Sequence, residues 1–508
     1  MTVLIGEALT IDDVARVAYS EIDVAIAPDV DARMQRSRAV VERAVEQGGT
    51  VYGVTTGFGG LANVRIDPAE AERLQRDVVR SHATAVGPVL PREVVRAMLL
   101  LKARTFAFGI SGVRKALLER LVAMLNDRAH PVVPSQGSLG ASGDLAQLAH
   151  LALPLMGEGE VERDGSIVSA SEYVREQGWE PLSLSFKEGL ALVNGTEGML
   201  ALGLLTWRAA ETLAQTADVV AAMTVEGCLG TDRAFDERLI ALRRHPGSAL
   251  VASNLRAMLA ESEIVESHRD SDHLVQDAYS LRCVPQVHGA YRDALGYVRQ
   301  TLEAELSSAI DNPSVLESGD VLSGGNFHGE ALGLALDHLA LCLVGYSTIA
   351  ERRIARLIDP DLNNGLPAFL TPDPGRRSGF MIAHYTAASL TSESRGLSFP
   401  SSSDSIPTSA GQEDHVSMGM TSARRAAAIL VNTQRVVAIE ALVAGQALEM
   451  RAPLRPAPAT AAVLETVRES VPSLDEDRPL APDMNEAHAL VSRGALRDAA
   501  TKVAPGLR

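Results

Sequence analysis

One stretch of the chain combines residue types and spacing that could support chemistry beyond that of ordinary side chains. It reads Gly137-Ser138-Leu139-Gly140-Ala141-Ser142-Gly143-Asp144 and enters a predicted helical run over residues 145–153. A glycine-rich turn before a helix can bind phosphate, but a Gly-Lys-Ser/Thr ending is absent and no strand-like run precedes it. A serine-hydrolase elbow needs Gly-x-Ser-x-Gly, whereas Ser142 is followed directly by Gly143. Asp144 also fits an ordinary helix N-cap.

Five loops rich in Gly, Ser, Thr and Asn, including this one, interrupt an otherwise helical sequence. Binding and catalytic groups tend to lie on loops that a rigid frame carries. The candidate loops span residues 52–60, 135–143, 194–198, 323–327 and 399–411.

The frame itself is predicted to be helical. Aromatic residues make up only 4% of the chain while Ala, Leu, Glu and Arg recur, which favours helix over strand. Apolar residues recur at helical spacing, as in Leu334, Leu341 and Val344. Such long apolar helices must bury several faces, as in the centre of a large bundle or an oligomer. Four proline-free segments carry this prediction: 200–224, 290–309, 329–358 and 422–449.

Composition and charge exclude several partners. The chain has 46% hydrophobic and 22% charged residues, as soluble globular proteins do. Its net charge of -17 differs from the clustered Lys and Arg of a nucleic-acid binder, so nucleic acid is not an expected partner. Three cysteines provide neither a disulfide framework nor a C-x-x-C zinc pair.

No membrane segment is expected. The N-terminal residues lack a basic region followed by an apolar stretch. The most hydrophobic long segment, 331–344, carries Asp337 and His338 in its middle, where a charge in a spanning helix is costly. We therefore expect a cytoplasmic protein.

A cluster of acids and histidines raises a metal-binding alternative. Its His-x-x-x-x-His spacing does not match a helical zinc pair with a third ligand. A solvated acidic loop is the preferred interpretation, and no metal is expected. The cluster comprises Glu266, His268, Asp270, Asp272, His273 and Asp277.

Nine blocks of sequence, spread from Tyr52 to the neighbourhood of Arg451, resemble the aromatic amino-acid ammonia-lyase family, in its histidine ammonia-lyase form. Their order and spacing are similar to those of the family over nearly the whole chain. The blocks are YGVTTGFG, LQRDVVRSHA, GSLGASGDLA, KEGLALVNGT, QDAYSLRCVPQVHGA, DNP, SGGNFHGE, SGFMIAHYTAA and PTSAGQEDHVSM.

The resemblance implies a prosthetic group made from the chain itself, with no external cofactor. In the family the tripeptide that matches Ala141-Ser142-Gly143 cyclises to 4-methylidene-imidazol-5-one. The amide nitrogen of Gly143 must reach the carbonyl carbon of Ala141, which demands a tightly bent backbone with little side-chain bulk. Loss of water closes the ring, and loss of the Ser142 hydroxyl leaves the methylidene. The implied reaction converts L-histidine to trans-urocanate and ammonia, with the substrate amine or its imidazole attacking the electrophile.

The resemblance also assigns roles around this group. Tyr52 is expected to be the general base that removes the β-proton, which requires surroundings that favour the phenolate. Arg282 is expected to bind the substrate carboxylate through two parallel hydrogen bonds. Further residues expected around the ring and the substrate are Asn194, Gln276, Tyr279, Phe327 and Met381.

Substrate preference is predicted from His82 and Glu413. Histidine-specific members resemble the Ser81-His82 pair, although some tyrosine aminomutases share it. Glu413 matches an acid that those members place near the imidazole, where aromatic-specific relatives usually have Asn-Gln. A carboxylate can accept an imidazole N–H and would be left unpaired against a phenyl ring.

Four positions depart from the family pattern and leave the substrate preference open. Gln147 stands where proline is usual, and Glu197 stands where histidine-specific relatives often have Gln. Thr55 resembles the aromatic-specific form, and Ala85 replaces a usual glycine. None of them removes a named catalytic group.

The implied fold is an all-α, elongated subunit with a long central bundle and a fumarase/aspartase-like architecture. We expect an N-terminal domain over residues 1–200, with the catalytic loops, and a long-helix domain with a terminal cap over 201–508, where the Pro/Ala-rich stretch 453–462 links bundle and cap. The family forms homotetramers whose active sites combine loops from several subunits. Three rivals remain: a tyrosine or phenylalanine lyase or aminomutase with the same group, a fumarase-like lyase without it, and a non-catalytic helical scaffold.

Overall fold

The structure is a computed structural model that describes residues 2–20, 22–49, 51–61, 63–270 and 274–508. Within these residues the chain forms twenty α-helices and nine strands of two to four residues, so the predicted all-α class is confirmed. The helices, in chain order, are α1 Ile11–Ser20, α2 Val30–Glu46, α3 Ala71–His82, α4 Arg92–Ala107, α5 Lys115–Asn126, α6 Leu145–Ala152, α7 Ala170–Glu176, α8 Glu188–Val193, α9 Glu197–Gly227, α10 Glu237–Ile240, α11 Pro246–Leu259, α12 Glu263–Glu266, α13 Tyr279–Arg282, α14 Val284–Leu306, α15 Glu330–Ile358, α16 Met381–Leu397, α17 Gly419–Met450, α18 Pro458–Arg468, α19 Ala481–Ser492 and α20 Ala495–Val503.

The chain divides into two compact units. The first unit comprises Met1–Leu205, Gln300–Asp337 and Pro400–Arg424, and the second comprises Thr206–Arg299, His338–Phe399 and Arg425–Arg508. The domain boundary predicted between residues 200 and 201 stays a prediction.

The first unit is built around α4, whose residues from Val94 onward are all buried. Helices α1 and α5 pack against α4, and α3 packs against α6 and α8. This packing fixes the ends of α3, α6 and α8, from which the candidate loops extend.

The strands of the first unit form four small sheets. They are β1 Val3–Ile5, β2 Val24–Ile26, β3 Val86–Val89, β4 His130–Pro131, β5 Pro134–Gln136, β6 Glu160–Arg163, β7 Ser166–Ser169, β8 Ser314–Val315 and β9 Val321–Leu322. Strands β1 and β2 are parallel, and the other pairs are antiparallel. Strand β5 immediately precedes Gly137, so the expectation that no strand leads into the glycine-rich loop is wrong. Its three residues pair with β3 but are too few to show an alternating pattern.

The four predicted long helices are present as α9, α14, α15 and α17, with 31, 23, 29 and 32 residues. The predicted end of one is wrong, because α14 stops at Leu306 rather than at residue 309. The guanidinium of Arg104 donates to the carbonyl oxygens of Glu305, Leu306 and Ser308. These carbonyls therefore find partners outside the helix at its C-terminal end.

In the second unit α18 packs against α20 and α11. The break predicted over residues 453–462 is shorter than expected, because α18 already begins at Pro458.

Two helices, α15 and α17, are long and apolar enough to cross a membrane by length and composition alone, each with a mean hydropathy of 1.5. In their most apolar windows 67% and 78% of the residues are buried inside the protein, as in the core helices of globular proteins.

Candidate active site

A cavity of about 870 Å³ lies in the first unit, and each of the five candidate loops contributes to its wall. It brings together seven of the site residues predicted from the sequence. These are Tyr52, His82, Ala141, Ser142, Asn194, Phe327 and Glu413. Gly143, the third residue of the tripeptide, lines a smaller cavity of about 220 Å³ that shares Ala141, His82 and Glu413 with the larger one.

The tripeptide Ala141-Ser142-Gly143 forms a tight turn. Ser142 has φ +56°, which is uncommon for a residue with a side chain, and Gly143 has φ +81°. The N–H of Gly195 donates to the carbonyl oxygen of Ser142 at 3.1 Å. A β-carbon at Gly143 would overlap the carbonyl of Gly195, so only glycine fits there. The loop is therefore bent and tightly packed, as the cyclisation chemistry requires.

Asp144 does not cap the helix that it precedes, contrary to the simplest interpretation of its position. Instead its Oδ2 accepts the N–H of Met199 in the first turn of α9 at 2.7 Å. Its Oδ1 accepts the hydroxyl of Ser138 at 2.8 Å. Burial raises the pKa of Asp144 to about 7, and these hydrogen bonds act in the opposite direction. A buried, titratable carboxyl thus directly follows the tripeptide.

Tyr52 is placed by a contact between two loops. Gly60 donates its N–H to the Ser409 hydroxyl at 2.9 Å, which joins the loop of Tyr52 to the loop of Glu413. The phenol oxygen of Tyr52 accepts the N–H of Gly59 at 3.1 Å. A donor aimed at this oxygen stabilises negative charge on it.

The side chains of His82 and Glu413 each make a hydrogen bond within the chain. Nδ1 of His82 lies 2.8 Å from the carbonyl oxygen of Val78. Because a carbonyl only accepts, Nδ1 carries a proton, and Nε2 of the neutral ring is an acceptor. Oε2 of Glu413 accepts the hydroxyl of Thr408 at 3.2 Å. Both side chains also line the adjoining smaller cavity.

Asn194 is buried and tightly held. Its Nδ2 donates to Oδ1 of Asp311 and to the carbonyl oxygen of Asn312, both at 3.3 Å. The backbone carbonyl oxygen of Asn194 accepts a hydrogen bond from Nζ of Lys102 at 2.7 Å. Lys187 donates to Oδ2 of Asp311 at 2.6 Å. Burial lowers the pKa of Lys187, while the Asp311 carboxylate acts in the opposite direction.

Sequence reasoning missed Lys187, Asp311 and Asn312 as parts of the site. All three lie within the KEGLALVNGT and DNP blocks, which was the available signal. It also missed His328 and His415, which line the cavity with their rings stacked at 5.9 Å between centroids.

Four predicted site residues belong to the second unit and are not among the described residues that line the cavity: Gln276, Tyr279, Arg282 and Met381. The Arg282 guanidinium lies 4.6 Å from the centroid of the Tyr279 ring. Nε of Arg282 donates to the carbonyl oxygen of Asp277 at 2.8 Å. Tyr279 is 71% exposed, so this segment presents a phenol to the surface of the single chain.

A comparison with family models matches residues 9–469 to a model described as aromatic amino acid lyase. The match covers most of the chain. The chain belongs to the aromatic amino acid lyase family.

Several relatives of this lyase have similar length and carry the name histidine ammonia-lyase. One from Koribacter versatilis is 49% identical, over 98% of this chain and 99% of the relative. One from Geobacillus thermodenitrificans is also 49% identical, over 98% of each chain. One from Anaeromyxobacter dehalogenans is 50% identical, over 97% of this chain and 98% of the relative.

Solved structures similar to this lyase include enzymes with two kinds of activity in their names. Histidine ammonia-lyase from Trypanosoma cruzi has a TM-score of 0.91 and 40% identity, covering 99% of this chain and 96% of that one. Tyrosine aminomutase from Streptomyces globisporus has a TM-score of 0.94 and 39% identity, covering 99% of each chain. The helical fold of the fumarase/aspartase type is thereby confirmed.

The four departures from the family pattern do not line the cavity of this lyase within the described part of the chain. Both amide atoms of Gln147 are buried without a hydrogen-bond partner. Oε1 of Glu197 accepts the Thr105 hydroxyl at 2.8 Å, while its Oε2 has no partner. Thr55 donates to the carbonyl oxygen of Gly49 at 2.8 Å. Ala85 is buried.

Among the described residues of this lyase, no group of three or more His, Cys, Asp or Glu side chains could hold a metal ion. Asp272 and His273 of the cluster considered above lie outside the described residues. Their interpretation as part of a solvated loop stays a prediction.

Proposed function

We propose that this protein is a histidine ammonia-lyase that converts L-histidine to trans-urocanate and ammonia without oxidation. One observation carries the proposal: Glu413 and His82 line the same cavity as Ser142 and Tyr52. One cavity therefore contains the serine that would form the electrophile, a base, and two side chains able to recognise an imidazole. The relatives that are 47–50% identical carry this activity in their names.

Ala141, Ser142 and Gly143 would hold the methylidene-imidazolone and would form it without another protein. The positive φ of Ser142 and the glycine-only fit of Gly143 against Gly195 suit this group. Once formed, it supplies an electrophilic carbon that activates the substrate for loss of its amino group. Proton removal and substrate binding are carried out by side chains of the protein.

Tyr52 takes the proton from the β-carbon of the substrate. The N–H of Gly59 donates to the phenol oxygen, which is the atom that would accept this proton. Glu413 accepts an N–H of the substrate imidazole, and the acceptor Nε2 of His82 lines the same wall. A phenyl ring offers no N–H to this carboxylate, which disfavours phenylalanine.

The carboxylate of the substrate would be bound by Arg282, together with Gln276, Tyr279 and Met381, from neighbouring copies of the chain. We propose a homotetramer with shared active sites. The exposure of Tyr279 and of two leucines on α15, Leu334 and Leu341, which are 51% and 49% exposed, supports burial of these surfaces by other subunits. The proposed setting is the cytoplasm, without a membrane or nucleic-acid partner.

A second candidate is a tyrosine aminomutase or a related aromatic lyase, because the solved tyrosine aminomutase has a TM-score of 0.94 to this chain. The two candidates differ in substrate and product. Purified protein is assayed in the near ultraviolet with L-histidine, L-tyrosine and L-phenylalanine separately. Urocanate from histidine alone supports the proposal; coumarate or cinnamate overturns the predicted substrate.

Shared sites are tested by mixing two inactive variants, Tyr52→Phe and Arg282→Gln. If each active site takes these residues from different subunits, mixed tetramers contain some sites with both residues intact, and activity returns. Each variant refolded alone is the control. Mixed assemblies that stay inactive would contradict shared sites.

A further inference from the structure

Lys187 and Asp311 form a fully buried ion pair with no side-chain exposure and 2.6 Å between Nζ and Oδ2. A buried ion pair is weak evidence for stability, because removing two charges from water costs about as much as their attraction returns. Neither residue lines the cavity. A role for the pair must therefore act through a neighbour.

That neighbour is Asn194. Lys187 donates to Oδ2 of Asp311. The other oxygen, Oδ1, accepts hydrogen bonds from the backbone N–H of Asn312 at 2.7 Å and from Nδ2 of Asn194. The second acceptor for Nδ2 is the carbonyl oxygen of Asn312. With Nδ2 directed at two acceptors, the carboxamide oxygen of Asn194 is the atom left to face the cavity.

The backbone of Asn194 is held separately. Lys102 donates to the carbonyl oxygens of Asn194 and Ala191 and pairs with Glu197 at 2.9 Å. Loss of Lys187 would therefore leave the main chain in place and affect the orientation of the carboxamide.

We infer that Lys187 and Asp311 are positioning residues that orient the carboxamide of Asn194, so that it offers an acceptor to the amino group of the substrate. Without Lys187 the buried Asp311 carboxylate has no countercharge and takes up a proton. A protonated Asp311 is a weaker acceptor for Nδ2 of Asn194, so the carboxamide is held less firmly with its oxygen towards the cavity. The inference rests on the proposed function only in that an amino acid is the substrate.

The test is a double-mutant cycle with Lys187→Met and Asn194→Ala. We expect Lys187→Met to lower kcat roughly 10- to 100-fold, the range of one lost hydrogen bond to a charged group. The double variant should lose no more than Asn194→Ala alone. Independent, multiplying losses would overturn the inference, and so would a Lys187→Met protein whose intact mass shows no loss of the two waters of cyclisation.

A matched control lies one residue further along the chain. Glu188, at the start of α8, is buried and pairs with Arg114 at 2.5 Å. Arg114→Met removes the countercharge of this buried carboxylate at the same helix start, while the N–H groups of Arg114 and Ser185 still donate to it. Neither Arg114 nor Glu188 takes part in the hydrogen bonds described above for Asn194. We expect the losses in kcat caused by Arg114→Met and Asn194→Ala to multiply in the double variant. If both double variants lost no more kcat than Asn194→Ala alone, the effect would be a general loss of structure and the inference would be overturned.

A second variant separates positioning from stability. Lys187→Met/Asp311→Leu removes both charges and leaves no unpaired buried ion. Because the N–H of Asn312 and Nδ2 of Asn194 then lose Oδ1 of Asp311 as an acceptor, its thermal midpoint is measured beside that of Lys187→Met. We expect its kcat to remain as low as that of Lys187→Met, and full activity would overturn the inference. Each assay uses whichever amino acid the wild type deaminates, so a failure with histidine contradicts the proposed substrate alone.

Discussion

Gly143 lies directly against the backbone of Gly195, and a β-carbon added to Gly143 would overlap the carbonyl oxygen of Gly195. The same carbonyl accepts the N–H of Asp144 at 2.7 Å, which ties the two loops together. The tripeptide is therefore held by backbone packing from a loop about fifty residues further along the chain.

Gly143→Ala should abolish both cyclisation and turnover, because the added methyl group would push the two backbones apart. Intact-mass measurement should give the mass of the uncyclised chain. Gly165→Ala is the matched control: Gly165 has φ +78° and open space around its Cα, so it tests the backbone strain without the overlap. A cyclised, active Gly143→Ala protein would contradict the packing argument.

Ser142→Ala should eliminate turnover while the protein stays folded, because no hydroxyl is available to leave as water. Residue 142 lines the cavity and is half-buried, so removing one oxygen atom disturbs little packing. Activity, intact mass and the thermal unfolding midpoint are measured together. A fully active Ser142→Ala protein would be incompatible with the proposed prosthetic group.

Glu413→Gln should reduce turnover of histidine far more than any turnover of phenylalanine or tyrosine. The amide has the shape of the carboxylate but lacks the charge that an imidazole N–H favours. kcat/KM is compared for the three amino acids in variant and wild type. Equal losses on all three would show that Glu413 does not recognise the imidazole.

Tyr52→Phe should lower kcat about 10²- to 10⁴-fold, the usual contribution of a positioned acid or base, with a smaller effect on KM. The substitution removes only the oxygen that accepts the Gly59 N–H, and the ring remains beside Phe58. Steady-state kinetics with histidine measure the effect. A kcat within a few fold of the wild type would require another base.

Asp144→Asn should change how stability depends on pH. Burial raises the pKa of Asp144 from 3.8 to about 7, so between these values the folded protein binds the proton more tightly than the unfolded chain. The Asp144 carboxyl therefore makes its full contribution to the free energy of unfolding below about pH 4, and this contribution is lost as the pH rises towards about 7. The carboxamide of the variant cannot titrate, and it can keep an acceptor for the Met199 N–H and a donor for the Ser138 hydroxyl.

The comparison uses urea unfolding of both proteins at about pH 5 and about pH 8. We expect the wild type to lose more stability than Asp144→Asn over this interval, by an amount of the order of 1 kcal/mol or more. Parallel pH dependences would mean that Asp144 does not titrate there.

The sequence by itself determined the helical frame and the loops that form the site. Helices α9, α14, α15 and α17 cover most of each of the four predicted proline-free segments, whose apolar residues recur at helical spacing, which is a local property of the chain. The tripeptide and Glu413 were selected because the blocks that contain them resemble the family, and their residue types suit the chemistry that the resemblance implies. These features depend on residues close together in the sequence, so the sequence alone predicts them.

The tertiary structure decided which groups support these residues. Lys187 meets Asp311 across 124 positions of the chain, and Asp144 accepts from the first turn of α9 rather than from its own helix. The guanidinium of Arg104 donates to the carbonyl oxygens of Glu305, Leu306 and Ser308, at and just beyond the C-terminal end of α14. A buried polar group must find a partner wherever packing provides one. That choice depends on distant segments meeting in space, which local periodicity and residue type do not encode.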